Sequence, residues 1–332
     1  MKILKSLKGR DFLKIQDYSK EELWTIIKLA QDLKVQYYAG KKIIPFLSGK
    51  SIGLIFQKPS TRTRISFEVA VYQLGGNALY LNWNDLQLGR GETISDTGKV
   101  LSRYLDGIMA RVYSQKDLEI LATAATIPVI NGLSDLYHPC QALSDLLTIY
   151  EKKGYLEGLN LTFIGDGSDN MCHSLIVAST KMGMNITISS PKEYEPNEKI
   201  LEMANSNAKL SGSKIKIINS PEDAVKDADI IYTDVWVSMG QEKETKKRIE
   251  VFPPYQVNRD LIRHAPNDVM VMHCLPAHRG LEITDEVIDS EMSIVWDQAE
   301  NRLHLQKAIP VSYTHLRAHE TPEHLVCRLL LE

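Results

Sequence analysis

Short apolar runs alternate along the chain with longer stretches whose apolar residues recur at helical spacing. The short runs are rich in isoleucine and valine and too brief for helices, which predicts strands at 51–56, 161–165, 186–190, 229–235 and 268–273. Helical patterns lie between them, at 61–74, 141–150 and 173–182. Strands that alternate with helices predict an α/β fold of parallel sheets flanked by helices.

A polar interval in this pattern predicts a junction between two domains. The stretch 151–160, EKKGYLEGLN, contains two glycines and few apolar residues. A chain of 332 residues is long enough for two domains at roughly 150 residues each. We therefore expect one domain at 1–150 and a second at 151–310.

Polar clusters follow four of the predicted strands. They read KPSTRTR at 58–64, DGSDN at 166–170, DVWVSMG at 234–240 and HCLPAHRG at 273–280. Ligands of open parallel sheets bind beyond the carboxyl ends of the strands, so these clusters predict the functional site.

The segment 58–64 is typical of an anion site. Ser60 or Thr61 can cap the helix that follows, and a helix N-terminus offers free N–H groups to a phosphate. The alternative is a capped helix with solvated arginines. Three hydroxyls and two arginines within five residues favour the phosphate site.

Two further motifs are ambiguous when each is taken by itself. His138 and Gln141 open another helix on one face, and either contact a ligand or leave His138 as a helix cap. Cys274 is either a nucleophile or a small pocket-lining residue. We favour the second role, because no Asp or Asn evidently orients His273 as a base. The charged run 240–252 predicts a solvated helix face.

Composition excludes several classes of function. Lys and Arg number 39 against 42 Asp and Glu, a net charge of −3 that argues against nucleic-acid binding. Four cysteines without a Cys-x-x-Cys pair predict neither a zinc ribbon nor a redox pair, and suit the cytoplasm. No apolar run reaches the roughly 20 residues of a membrane helix. The segment after 161–165 lacks Gly-x-Gly-x-x-Gly, which argues against a nicotinamide-dependent oxidoreductase.

Taken in order, the motifs STRTR, ARVY (110–113), HPCQAL (138–143), DVWVSMG and HCLP resemble the aspartate/ornithine carbamoyltransferase family, from about residue 8 to about residue 309. The loop from Asp234 is similar to that of the ornithine-type members. The resemblance implies carbamoyl transfer from carbamoyl phosphate to the δ-amine of L-ornithine, giving L-citrulline and phosphate. It also implies an active site in an interdomain cleft, a homotrimer or assemblies of trimers, and no metal or other cofactor. Putrescine or another amine as acceptor, and a non-catalytic sensor of a phosphate metabolite, remain alternatives.

The resemblance assigns roles residue by residue. The residues implied for carbamoyl phosphate are Ser60, Thr61, Arg62, Thr63, Arg111 and Arg302 around the phosphate, His138 and Gln141 at the carbamoyl group, and Gln87 from a neighbouring subunit. The residues implied for ornithine are Asn170, Asp234, Ser238 and Met239, with Cys274 and the Leu275 carbonyl beside the attacking amine. Arg62, Arg111, His138, Cys274 and Arg302 are the implied catalytic residues.

Two segments depart from the family pattern. Asp169 precedes Asn170 where the family commonly has two asparagines, and we expect ornithine binding to be retained. The segment 311–332 contains VSYTHLRAHET, which resembles a translated sequencing adapter. We therefore expect a non-native tail there, in place of the family's C-terminal helix.

Overall fold

The computed structural model describes residues 7–238 and 242–314. The chain forms two compact units, the first made of Met1–Ser134 with Arg302–Glu332 and the second of Asp135–Asn301. Among the described residues, no helix combines the length and the apolar character needed to cross a membrane.

The first unit contains a four-stranded parallel sheet. Its strands are β1 (Ser51–Phe56), β2 (Asn77–Asn82), β3 (Gly107–Arg111) and β4 (Val129–Leu133). They lie in the order β2-β1-β3-β4, with Phe56 at the end of β1 opposite Arg111 at the end of β3. This register brings Arg111 beside the segment that follows β1. The helices are α1 (Lys20–Tyr38), α2 (Thr61–Gln73), α3 (Ile94–Leu101) and α4 (Gln115–Ala124).

The second unit contains a five-stranded parallel sheet in the order β7-β6-β5-β8-β9. Its strands are β5 (Asn160–Ile164), β6 (Asn185–Ser189), β7 (Ile215–Ile217), β8 (Ile230–Thr233) and β9 (Met270–His273). Its helices are α5 (Pro139–Lys153), α6 (Asn170–Met182), α7 (Glu198–Ser211), α8 (Pro221–Ala224), α9 (Thr245–Val251), α10 (Arg259–Ile262) and α11 (Asp285–Ile288). The last helix, α12 (Val295–Thr314), begins in this unit and ends in the first.

Each sheet has its own apolar core, as expected for parallel sheets covered on both faces. Ile55, Ile108 and Val129 lie in the core of the first unit. Ile231 and Val271 lie in that of the second. Polar side chains are therefore left for the strand ends, where the candidate site residues stand.

The predicted fold class is confirmed, and so are all five predicted strands, with bounds that differ by a residue or two at most ends. The sequence pattern does not predict β2, β3, β4 and β7. In β2, which forms one edge of its sheet, every position is exposed or half-buried. β3 and β4 contain glycine, and β7 has only three residues. Short or glycine-containing strands give a weak signal of periodicity.

The junction and the tail remain predictions. Helix α5 extends to Lys153 and ends at Gly154, whose φ of 82° is the left-handed conformation that glycine favours. The compact units divide before this helix, after Ser134, and not at residue 150. Helix α12 continues to Thr314, and the buried Tyr313 ring lies 5.9 Å from that of Phe12. Residues 315–332 lie outside the described part of the chain.

Candidate active site

The N-terminus of α2 forms the predicted anion site in the first unit. Ser60 is the N-cap residue, and its hydroxyl accepts a hydrogen bond from the Thr63 backbone N–H at 3.3 Å. Thr61 and Arg62 occupy the first turn and are exposed and half-buried, respectively. The helix begins where the sequence predicts it, with its positive dipole end at the end of β1.

Two arginines from distant parts of the chain converge on this helix N-terminus. Arg111 Nη1 and Arg302 Nη2 both donate to the Thr63 hydroxyl, at 3.4 Å and 3.2 Å. Thr63 is buried, and only 4% of Arg302 is exposed. Two guanidinium groups this close repel each other, and an anion between them would offset that repulsion. The structure thus brings together the phosphate residues that the resemblance implies in this unit.

The second arginine of the STRTR motif has a different role. Arg64 Nε donates to Glu68 Oε1 at 3.0 Å, and its guanidinium lies 3.8 Å from the centre of the Tyr80 ring. Both contacts are at the surface. Arg64 therefore fits the solvated alternative, whereas Arg62 and Thr63 fit the anion site.

His138 and Gln141 stand at the start of α5 in the second unit and are both buried. Pro139 occupies the first turn as predicted, and His138 is the N-cap residue, although its side chain makes no capping hydrogen bond. The His138 N–H donates to Ser174 Oγ at 2.7 Å, and Ser174 Oγ donates to the Asn170 carbonyl at 2.7 Å. Ser174, which no sequence motif indicates, thus joins a predicted carbamoyl contact to a predicted ornithine contact.

The predicted ornithine residues of this unit lie on the loops that follow β5 and β8. Asn170 begins α6, and its preceding residue Asp169 caps the helix by accepting from the Met171 N–H at 2.6 Å. The Ser238 hydroxyl donates to the Asp169 carboxylate. Asp234, directly after β8, accepts from the Val235 N–H at 2.8 Å. Asp169 therefore connects the two loops. The sequence does not predict this contact, because the family commonly has asparagine at this position.

The carboxyl groups on these loops are buried and close together. Burial raises the pKa of Asp169 well above its ordinary value, and the nearby Asp234 and Asp166 raise it further. Burial also raises the pKa of Asp234, although His273 and the Cys274 thiol act in the opposite direction. These carboxyl groups hold protons more readily than exposed ones, and an ammonium group placed among them would be stabilised.

The HCLP segment after β9 is held by its own histidine. The Leu275 N–H donates to His273 Nδ1 at 2.8 Å, so the other ring nitrogen, Nε2, carries the proton and donates to Glu282 Oε1 at 3.1 Å. Leu275 has a φ of 59°, which is strained for a branched residue. Glu282 thus orients His273 from nine positions away, a partner that no local motif in the sequence indicates.

Cys274 does not fit a nucleophile. Burial raises the pKa of its thiol well above the ordinary value, and the adjacent Asp234 raises it further. Catalytic cysteines need the opposite shift, because the thiolate is the reactive form. Cys274 thus matches the favoured interpretation, a small residue at the wall of the acceptor site.

The side chains of Asp234, His273 and Cys274 lie close enough together to be considered as metal ligands, because their ligand atoms are within 4.8 Å of one another. The chemistry of the set opposes metal binding. Both His273 nitrogens are engaged, by Leu275 and by Glu282. The thiol is also difficult to ionise, and metals bind the thiolate.

One sequence interpretation is wrong in part. The run 240–252 predicts a solvated face, yet Phe252 at its end is fully buried and Arg248 in α9 is only 3% exposed. Its Nη1 donates to Asp166 Oδ2 at 2.5 Å and to the Trp236 carbonyl at 2.8 Å. Arg248 therefore ties the loop after β5 to the loop after β8. A mixed charge run gives no signal of which charge turns inward.

One predicted residue is not brought to these clusters, and another is not described. Gln87 is exposed at the start of the 3₁₀ helix Gln87–Arg90, which follows the edge strand β2. Met239 lies outside the described residues.

Comparison with known proteins identifies the family. Residues 10–151 match the carbamoyl-P binding domain of aspartate/ornithine carbamoyltransferase, and residues 157–313 match its Asp/Orn binding domain. The chain belongs to the aspartate/ornithine carbamoyltransferase family. Among curated members of the family, it is 59% identical over 304 residues to the ornithine carbamoyltransferase of Pyrococcus horikoshii, covering 92% of this chain and 95% of that protein. It is also 59% identical to the anabolic ornithine carbamoyltransferase of Pyrococcus furiosus, covering 92% of this chain and 96% of that protein.

Solved structures of family members agree with this assignment. The ornithine carbamoyltransferase structure from Pyrococcus furiosus has a TM-score of 0.90 at 57% identity, over 93% of this chain and 98% of that one. The anabolic enzyme from Campylobacter jejuni has a TM-score of 0.84 at 39% identity, over 91% and 97%.

Proposed function

We propose that this carbamoyltransferase moves the carbamoyl group of carbamoyl phosphate to the δ-amine of L-ornithine, giving L-citrulline and phosphate. The observation that carries the proposal is the convergence of Arg111 and Arg302 on Thr63 at the N-terminus of α2. The similarity to named ornithine carbamoyltransferases over most of the chain supports the acceptor.

The phosphate end is held by charge and by hydroxyl groups. Ser60, Thr61 and Thr63 with the N–H groups of the first turn supply neutral donors, and Arg62, Arg111 and Arg302 supply positive charge. As the carbamoyl–phosphate bond breaks, negative charge grows on the departing phosphate. Fixed donors and cations stabilise this charge without reorganising, which is usually the largest contribution to catalysis.

The carbamoyl end is contacted by His138 and Gln141 in this proposal. Attack by the neutral amine forms a tetrahedral intermediate whose oxygen is negative. A donor from His138 stabilises that oxygen, and Ser174 fixes the backbone from which the imidazole projects. The phosphate then leaves, the amine proton is lost, and citrulline remains.

The acceptor end is held by Asn170, Asp234, Ser238 and Met239, with Cys274 and the Leu275 carbonyl beside the amine. The buried carboxyl groups favour the cationic α-ammonium of ornithine, and fixed loops hold the δ-amine for attack. Positioning of this kind can supply roughly 7–11 kcal/mol of the barrier reduction when the reacting atoms are well aligned.

An assay with carbamoyl phosphate and a panel of amines tests the proposal. We expect citrulline from ornithine, and turnover at least tenfold weaker with lysine or putrescine. Putrescine keeps both amines of ornithine and lacks only the α-carboxylate, so preferential use of it would establish the alternative acceptor. Phosphate binding without turnover of any amine would establish the sensor alternative.

We further propose a homotrimer, or assemblies of trimers, in the cytoplasm. Apolar side chains are exposed on α2 and on the edge strand β2, namely Ile65 at 53%, Tyr72 at 69% and Leu79 at 39%. Exposed large apolar side chains that are grouped on neighbouring elements are typical of subunit interfaces. Gln87, which follows this strand, would then enter a neighbouring site.

Subunit complementation tests the shared site. Arg62→Ala and Gln87→Ala proteins should each have little activity. Mixed trimers of the two should regain activity, because some sites combine an intact Arg62 with an intact Gln87. Mixtures that exchange subunits but stay at the summed activity of the two variants would place Gln87 outside a shared site.

A further inference from the structure

A buried carboxylate in the second unit, which is not among the predicted site residues, lies at the centre of a hydrogen-bond network. Asp145 in α5 is fully buried. Its Oδ1 accepts from Gln141 Nε2 and from Gln298 Nε2, both at 2.8 Å, and its Oδ2 accepts from the Tyr232 hydroxyl at 3.0 Å. A buried anion is tolerated when its oxygens accept several hydrogen bonds in this way.

The direction of each hydrogen bond in this network follows from its fixed ends. Gln298 Oε1 accepts from the His273 backbone N–H at 3.0 Å, so the amide nitrogen of Gln298 faces Asp145. That nitrogen also lies 3.1 Å from the Tyr232 oxygen. Tyr232 thus accepts from Gln298 and gives its own proton to Asp145. Burial and Asp145 both raise the pKa of Tyr232, so the phenol keeps that proton.

The hydrogen bond to Asp145 determines how the side-chain amide of Gln141 is oriented. An ionised carboxylate only accepts hydrogen bonds, so it binds the NH₂ group of Gln141 and turns the carbonyl oxygen of that amide the other way. The two residues are four apart on one helix, and both are buried, which restricts rotation of the amide.

We propose that Asp145 is a specificity-determining positioning residue, which fixes Gln141 so that its carbonyl oxygen accepts a hydrogen bond from the NH₂ of the carbamoyl group. The inference rests on the proposed function, because Gln141 is its carbamoyl contact. The ligand property being recognised is an acyl phosphate that carries an N–H donor. Acetyl phosphate has a methyl group in the same place and leaves the Gln141 oxygen without its donor, which is unfavourable in a buried site.

Direct binding of carbamoyl phosphate, acetyl phosphate and inorganic phosphate to the full chain, measured by calorimetry in the absence of ornithine, tests this inference. The wild type should prefer carbamoyl over acetyl phosphate by about tenfold or more, the size expected for one unmade buried hydrogen bond. Asp145→Asn should reduce this preference to about threefold or less, because an asparagine can offer its own NH₂ and let Gln141 turn over. Affinity for inorganic phosphate should stay unchanged.

Tyr232→Phe is the matched control. It removes one donor to the same carboxylate but leaves the Asp145–Gln141 bond in place. Its preference for carbamoyl phosphate should equal that of the wild type. If Asp145→Asn and Tyr232→Phe weaken all three ligands alike, Asp145 has only a structural role.

A wild-type measurement keeps the inference testable if Asp145→Asn does not fold. Equal wild-type affinity for carbamoyl and acetyl phosphate would overturn it without any variant. Citrulline formation by the wild type is a separate readout. Its absence would contradict the proposed function, whereas its presence with an unchanged preference in Asp145→Asn would contradict the inference alone.

Discussion

The phosphate cluster of the first unit and the acceptor cluster of the second are opposite in charge and in construction. In the first, two guanidinium groups share the Thr63 hydroxyl at a helix N-terminus. In the second, the carboxyl groups of Asp169 and Asp234 have raised pKa values because they are buried and lie near other acids. One cluster suits a dianion, and the other suits a ligand that carries ammonium groups.

The two clusters also differ in how many supporting residues they need. The phosphate cluster takes most of its donors from one contiguous motif and one helix end. The acceptor cluster depends on side chains behind it, including Arg248, Glu282 and Ser174, each of which holds a loop backbone or a ring in place. Loss of charge should therefore dominate in the first cluster, and loss of loop geometry in the second.

The largest effect should follow removal of a positive charge from the phosphate cluster. Arg62→Ala should lower kcat/KM about 10²–10³-fold, the loss typical of one electrostatic donor in an active site. Arg64→Ala is the matched control, because Arg64 pairs with Glu68 at the surface, and it should change kcat/KM less than threefold. Steady-state kinetics with carbamoyl phosphate measure both variants. Similar losses in the two would contradict the assignment of Arg62 to the phosphate.

A comparable effect, but on stability and on the acceptor, should follow removal of Arg248. Arg248→Met leaves Asp166 buried without its cation, which should cost about 3 kcal/mol of unfolding free energy. The KM for ornithine should rise more than that for carbamoyl phosphate, because both acceptor loops lose a shared contact. Urea unfolding and steady-state kinetics provide the two measurements.

Lys247→Met is the control for that variant. Lys247 is the preceding residue and pairs with Glu193 in solvent, so its removal should leave stability and both KM values unchanged. A lower apparent kcat for Arg248→Met with both KM values unchanged would show a general loss of folded protein, and an equal rise in both KM values would contradict the loop-specific role.

The same difference explains how far the sequence could predict the site. STRTR, Arg111 and His138 carry visible motifs, and the structure places the first two together. Arg248 lies within a charge run, and Glu282 is nine positions away from the histidine that it orients. Which side chain of such a run turns inward depends on the loop conformation, and local periodicity contains no information about that. The edge strand β2 was missed for a related reason, because the partly exposed edge of a sheet lacks a continuous apolar run.

A smaller, pH-dependent effect is expected from His173 in α6. Burial lowers its pKa to about 4, while its Nε2 accepts from the Asn197 N–H at 3.3 Å. The unfolded chain, with an ordinary pKa near 6.5, binds the extra proton between these values, so stability falls as pH falls. This one group should cost about 2 kcal/mol between pH 7.5 and pH 5. His173→Gln keeps an acceptor for Asn197 and should lose that part of the pH dependence in urea unfolding; an unchanged slope would contradict it.

A pH-dependent effect of the opposite sign should come from Asp169. Its raised pKa means that the folded chain binds a proton more readily than the unfolded chain above the ordinary value, so its contribution makes stability fall as pH rises. Hydrogen bonds from Ser238 and from the Met171 N–H act against the burial. Asp169→Asn restores the residue common in the family and keeps an oxygen to accept from Ser238.

The variant Asp169→Asn should therefore match the wild type in stability near pH 4 and exceed it near pH 8, with a KM for ornithine within a few-fold of the wild type. Thermal unfolding at the two pH values, with kinetics at pH 8, measures both properties. Asp169→Ala is the comparison, because it removes the acceptor for Ser238 and should raise the KM for ornithine. If Asp169→Asn raises that KM as much as Asp169→Ala, the negative charge, and not the loop contact, is what this chain requires at position 169.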